Sequence, residues 1–322
     1  MERRPFLALL TTAVAGCNAT DQPAPTDTST TTLTGTPTAT ETPAPTATPT
    51  GTPTATPTET PTAAERAGRE AITEVRKTFG AVLEQYRGDA GETILATDAA
   101  SEFQDRTVRA GVAEARDEIV TARERAATPT QERSVEQLAT LRQFLRAATE
   151  VQVGLINAYY HPRQARDAFE AIDGRAADRA IEAMDTSRRI VRAPYGTIVE
   201  ETSAEATTAL PALDAATYRA KREQFDAEMV AFEQLRDPLD EFAGGVGRLE
   251  SALALRQNGS TEKARRTAEA AAGQFDDAET SLSTFADDLE PPGDSLLGMG
   301  RELSDLAATT AAETRERFGL SE

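Results

Sequence analysis

Residues 260–290 read STEKARRTAEAAAGQFDDAETSLSTFADDLE, and this stretch decides the fold. Its apolar positions are Ala264, Ala268, Ala271, Phe275, Ala278, Leu282, Phe285 and Leu289, which step by 4, 3, 4, 3, 4, 3, 4. That spacing keeps every one of them on one face of an α-helix. Ser260 stands at the N-cap position, and Pro291-Pro292-Gly293 stops the run. The seam is narrow and made largely of alanine, which suits close approach between helices.

The same period recurs upstream. Ile72, Val75, Phe79, Val82 and Tyr86 predict a helix from Thr62 that stops at Gly88. Phe103, Val112, Ala115, Ile119 and Ala122 predict a second, ending before Pro129. Thr128, Pro129 and Gln131 form a capping-box pattern that opens a third, running through Val135, Leu138, Leu145 and Leu155 to Tyr160. Pro162 is expected to open a short helix ending near Gly174, with another following to Ala193. Pro194 to Pro211, Thr-rich with a proline at each end, is expected to be a connector. Tyr218, Phe225, Met229, Phe232 and Leu235 lie on one helix, which Asp237-Pro238 is expected to break and restart. That next helix ends at Asn258-Gly259. Asp294 is expected to cap the last one, which carries Leu296, Leu303 and Leu306 to about Phe318.

No segment alternates polar and apolar residues long enough to predict a strand. Residues 62–322 are therefore expected to form an all-α domain, an elongated antiparallel multi-helix bundle with halves at 62–193 and 212–322. The pair of helices around Leu249, Gly259 and Ala278 loosely resembles a tetratricopeptide-type hairpin, but no clean 34-residue period accompanies it.

The first 61 residues are of another kind. Arg3-Arg4-Pro5-Phe6-Leu7 resembles a twin-arginine export signal, with Glu2 where that signal usually has Ser or Thr. The apolar run from Pro5 to Gly16 is twelve residues, short of the roughly 20 a spanning helix needs. It ends in Val14-Ala15-Gly16-Cys17, which resembles a lipobox. Small residues before the cysteine let a peptidase reach the scissile bond, and the thiol can carry a thioether-linked lipid. Cys17 is the only cysteine in the chain. The resemblance implies a lipid on Cys17 holding the chain to the outer face of the cell membrane; the competing reading is an ordinary cleaved signal. Asn18 to Pro61 follows as a linker with 19 Thr and 9 Pro in 44 residues and Leu33 as its one large apolar side chain. It cannot bury enough apolar area to order itself. Its reach runs from roughly 35–40 Å as a coil to roughly 140 Å fully extended.

The net charge is −19. Two arginines and five acids fall in residues 1–61, leaving 32 basic and 48 acidic residues, or −16, beyond them. Lysine occurs only at positions 77, 221 and 263, and tryptophan is absent. This composition resembles that of haloarchaeal proteins, which implies a surface soluble in high salt and self-repelling without it. It argues against nucleic acid or anionic lipid as a partner.

Little in the chain points to chemistry. The one histidine, His161, lies in Tyr159-Tyr160-His161-Pro162 and reads as a helix C-terminal cap beside partly buried tyrosines. With no cysteine beyond Cys17, no thiolate or histidine metal site can be assembled. Gly244, Gly245 and Gly247 lack the preceding strand that a phosphate-cradling loop requires and read as a kink or a close helix crossing. The acidic groups Asp276, Asp277, Glu279 and Asp287, Asp288, Glu290 lack the calcium-loop pattern and read as solvated faces. Asn258-Gly259-Ser260 and Asn18-Ala19-Thr20 are candidate N-glycosylation acceptors.

No catalytic residue, metal or cofactor is expected. The expected role is a lipid-anchored, non-catalytic binding or scaffolding module with a protein partner at the cell surface. The alternatives are a solute-capturing lipoprotein of a transporter, usually built of two α/β lobes, and an envelope-polymer hydrolase, for which no polar constellation can be assembled.

Overall fold

A computed structural model describes residues 60–89, 91–207 and 209–320. The expectations for Arg3, Arg4, Cys17, Asn18 and nearly all of the linker lie outside them. Thr62 opens α1 (Ala63–Arg87) with a complete capping box: its side chain accepts from the Glu65 amide, and Glu65 reaches back to the Thr62 amide. Gly88, at φ +52°, closes that helix, a conformation that glycine adopts without a Cβ clash. A short 3₁₀ turn, Ile94–Ala96, leads to α2 (Asp105–Arg125), α3 (Pro129–Glu170), α4 (Gly174–Glu201) and the single turn α5 (Ala204–Thr207). Then come α6 (Ala215–Gln257), α7 (Thr261–Asp287), a 3₁₀ turn at Asp294–Leu296 and α8 (Leu297–Phe318).

The described residues contain no strand, and the domain is an all-α multi-helix bundle. Long helices joined by connections as short as 126–128, 171–173 and 258–260 must fold back antiparallel. Each packs chiefly on its neighbours in the chain, α3 on α4, α6 on α7 and α7 on α8 above all. The buried residues of α3 and α6 run the length of both helices, so one hydrophobic core extends from Ala71 to Ala311. No helix among the described residues is long and apolar enough to cross a membrane.

Prolines are the main departure from the sequence reading. The expected breaks at Pro162, Pro194 and Asp237-Pro238 do not occur: all three prolines lie inside continuous helices, α3, α4 and α6. An interior proline costs about 3 kcal/mol through its missing N–H and its clash with the preceding turn. Pro162 and Pro238 lie on heavily packed segments, whereas Pro194 is half-buried with Arg192 and Ala193 exposed beside it. Pro162 is buried between Ala158 and Ala165, and Pro238 is buried beside Leu235, Leu239 and Phe242. Burial of those neighbours, at about 25 cal/mol per Å² of apolar surface, outweighs one lost hydrogen bond. The connector expected at 194–211 shrinks to the residues between α4 and α6, with α5 inside it.

Smaller corrections concern caps. Phe103 precedes α2 rather than riding on it, yet its ring meets Tyr86 edge-on at 4.9 Å. Ser260 and Leu296 occupy the N-cap positions of α7 and α8 with no side-chain cap bond, and Asp294 belongs to the preceding 3₁₀ turn. Gly174 does not end a helix; it begins α4, capped by Asp173, whose carboxylate accepts from the Ala176 amide at 2.8 Å. The left-handed residue in that turn is Ile172, at φ +52°.

Candidate functional site

The densest polar constellation lies inside the bundle, where α1, α3 and α6 face the segment 97–99. It forms because the heptad seams of three helices carry polar residues at apolar positions. On α6 the seam runs Tyr218, Lys221, Phe225, Glu228, Phe232, Leu235; on α3 it runs Leu141, Leu145, Ala148, Gln152, Leu155; on α1 it ends at Tyr86. Lys221, Glu228 and Gln152 are each 0 % exposed.

The seam residues serve the backbone of a buried loop. Thr97 and Ala99 are buried, and neither has a helical or strand partner for all its polar groups. Such groups must be bonded or their burial is costly. Lys221 Nζ donates to the Thr97 carbonyl, Gln152 Nε2 donates to the Asp98 carbonyl at 2.7 Å, and Glu228 Oε1 accepts the Ala99 amide at 3.2 Å. Three consecutive residues are thereby held by side chains from two helices. Lys221 also donates to Gln152 Oε1 at 2.9 Å and Gln224 Oε1 at 3.1 Å. Gln224 Nε2 in turn donates to Glu228 Oε1 at 3.4 Å, so this amide bridges the two ionisable groups. The Lys221 ammonium sits 4.6 Å from the Phe225 ring centroid and 5.6 Å from that of Tyr86. The Tyr86 hydroxyl, 3.3 Å from both the Ala148 carbonyl and Gln152 Oε1, closes the cluster.

The electrostatics follow from burial. Desolvation pushes the Lys221 amine well below its ordinary range and the Glu228 carboxyl well above its own; the charge of each opposes the shift of the other. Glu228 Oε2 is buried without a hydrogen-bond partner, which further disfavours a full negative charge there. Burial, and then the Glu228 charge, raises the Tyr86 phenol. Strongly perturbed groups are the usual mark of a reactive centre. Here, however, every one of them is sealed in the core and bonded to a neighbouring backbone.

A second cluster ties α4 to α6. Asp185 lies 2.8 Å from Arg188, 3.2 Å from Arg189 and 3.3 Å from Arg236, and Arg188 also reaches Glu233 at 2.7 Å. The Arg188 hydrogen bond, above all, holds the Asp185 carboxyl below its ordinary value.

The residues singled out from sequence are dispersed. Asn258 is exposed at the C-terminus of α6, with Gly259 beside it at φ +75°. His161 is not at a helix end but in the middle of α3, half-buried. Its Nε2 lies 3.3 Å from Ser187 Oγ and its Nδ1 3.1 Å from Gln164 Oε1. A serine nucleophile would need a carboxylate behind the imidazole, and a neutral amide stands there instead. Tyr160 is exposed rather than partly buried. Gly245 marks the close crossing of α6 on α7: a Cβ there would stand 2.5 Å from the Phe275 ring. Asp276 pairs with Arg315 of α8, so that carboxylate ties two helices together.

The sequence reading passed over Lys221, Glu228 and Gln152. Their signal was present: each occupies a seam position, and Lys221 is one of three lysines in a chain whose other basic residues are arginine. Comparison with protein-family models, curated proteins and solved structures found no match to this chain.

Proposed function

We propose that this chain is a lipid-anchored surface protein, exported by a twin-arginine signal, whose helical domain works as a non-catalytic binding or scaffolding module held off the membrane by the Thr/Pro-rich linker. The observation that favours a non-catalytic role is the use made of Lys221 and Glu228. The most perturbed pair in the domain is fully buried, and its hydrogen bonds hold the 97–99 segment rather than facing a cleft. The all-α architecture also counts against the paired α/β lobes usual for solute capture. The anchor rests on Val14-Ala15-Gly16-Cys17, and the saline habitat on the −19 net charge.

Cell fractionation tests the anchor. Cys17→Ser should release the chain to the medium or leave it unprocessed, and replacing Arg3 and Arg4 by Lys should block export. Unchanged detergent partitioning of Cys17→Ser would remove the lipid. The habitat has its own test: the melting temperature should rise from dilute buffer into molar salt, and a flat profile would rule out the halophilic surface.

A further inference from the structure

Four arginines converge on one surface pocket between α2 and α3. Arg109 and Arg116 stand two turns apart on α2, and Arg142 and Arg146 one turn apart on α3. The pocket has a volume of about 340 Å³, is backed by the buried Val112, and has a single carboxylate, Glu150, among its lining residues. Arg109 holds Asp105 at 3.2 Å. Arg116, Arg142 and Arg146 make no ion pair and no hydrogen bond among the described residues. Elsewhere the buried Arg188 is matched to Asp185 and Glu233, and the half-buried Arg166 and Arg315 to Asp167, Glu170 and Glu302 and to Asp276, while the half-buried Arg87 bonds the Glu92 carbonyl.

Acids outnumber bases beyond residue 61, yet Glu150 is the one carboxylate in the lining of this four-arginine pocket. Like charges brought together without partners destabilise the fold. The Arg142 guanidinium registers this directly: burial first, then the charges of Arg146 and Arg116, lower its proton affinity. Guanidinium is planar, permanently charged and weakly hydrated, and its N–H fork matches the oxygens of a phosphate or sulfate. With Arg109 paired to Asp105, one glutamate cannot neutralise the remaining three groups, whereas a dianion adds the missing charge. A volume at the lower end of small-molecule sites accommodates such an anion together with a sugar-sized substituent.

We propose that the α2–α3 pocket binds a dianionic oxyanion, free phosphate or sulfate or the phosphate monoester of a small polar group, through Arg116, Arg142 and Arg146. This gives the binding role proposed above a ligand chemistry and rests on that reading, while its test is independent of the anchor.

The test is isothermal titration calorimetry on the full chain carrying Cys17→Ser, at constant ionic strength set with potassium chloride. The probes are inorganic phosphate, inorganic sulfate and glucose 6-phosphate. One saturable site is expected. Arg116→Gln and Arg142→Gln should each weaken it ~tenfold or more, since each removes charge-assisted hydrogen bonds. Arg142→Lys should restore part of the affinity, and Arg265→Gln, on the exposed face of α7, should leave it unchanged. Tighter binding of glucose 6-phosphate than of inorganic phosphate assigns the ester; equal binding assigns the free anion. Relief of like-charge repulsion should leave the melting temperatures of the glutamine variants equal to the parent's or higher. Should Arg142→Gln fail to fold, the exposed Arg146→Gln makes the same comparison. Absence of saturable binding by all three probes, or binding indifferent to these arginines, would overturn the proposal whatever the fate of the anchor.

Discussion

Lys221 and Glu228 stand seven residues apart on one face of α6, both fully buried, and each grips the same short segment: Lys221 Nζ donates to the Thr97 carbonyl, and Glu228 accepts the Ala99 amide. They make no direct ion pair; Gln224 lies between them, bonded to both. The pair is thus a latch on an irregular segment that would otherwise bury unsatisfied backbone groups.

A latch of this kind predicts strong coupling. Lys221→Met should remove the ammonium that donates to the Thr97 carbonyl and two amide oxygens and cost about 3–5 kcal/mol, as breaking a buried charge network does. Glu228→Gln keeps a hydrogen-bond acceptor and should cost less, about 1–2 kcal/mol. In the double variant the losses should fall short of their sum by at least about 0.5 kcal/mol. Urea unfolding of the four proteins measures this, and strict additivity would show that the two residues act separately.

The two buried carboxyls predict opposite pH dependences. Glu228 is raised above its ordinary value of 4.5, so the folded state holds its proton longer than the unfolded state does. Its contribution is complete at acid pH and declines as pH rises from 4.5 towards neutrality. Asp185 is lowered below 3.8, so its contribution is present above that value and is lost as pH falls through the folded-state value. Relative to the parent, Glu228→Gln should therefore gain stability as pH rises from 4.5, and Asp185→Asn should converge on the parent below 3.8. Denaturant melts across pH 2–8 read both slopes, and a Glu228→Gln difference that is flat with pH would mean the carboxyl is not shifted.

Packing of α6 on α7 predicts a third outcome. Phe275 is fully buried, edge-on to Phe242 at 5.5 Å, with Gly245 directly beneath its ring. Phe275→Ala should cost about 3–5 kcal/mol. Gly245→Ala should cost about 1–3 kcal/mol by overpacking. In a Phe275→Leu background, where the ring edge is gone, Gly245→Ala should cost less. An equal penalty in both backgrounds would show that the ring does not set the glycine requirement.

The helical fold was legible because the determinant is local. A 3-4 apolar spacing such as Ala264 to Leu289 specifies a helix face from the chain alone. Some caps were also legible: Gly88 and Thr128 act at the expected positions, but Gln131 does not return the capping-box bond to the Thr128 amide; it accepts from the Ala127 amide at 2.8 Å and donates to the Glu65 carbonyl of α1 at 2.7 Å. What could not be read locally was the outcome of competition between local and tertiary terms. Whether Pro162 and Pro238 break a helix depends on how much apolar surface their neighbours bury, and only the packed bundle sets that quantity. Likewise Lys221 and Glu228 read from sequence as ordinary charges on a charged chain. They became core residues only when residues 97–99 arrived from a distant part of the chain with a carbonyl and an amide to offer, because a buried charge is tolerated only where partners meet it. The arginines of α2 and α3 follow the same logic: each helix carries five of them, and the convergence of two from each on one pocket exists only once the two helices pack.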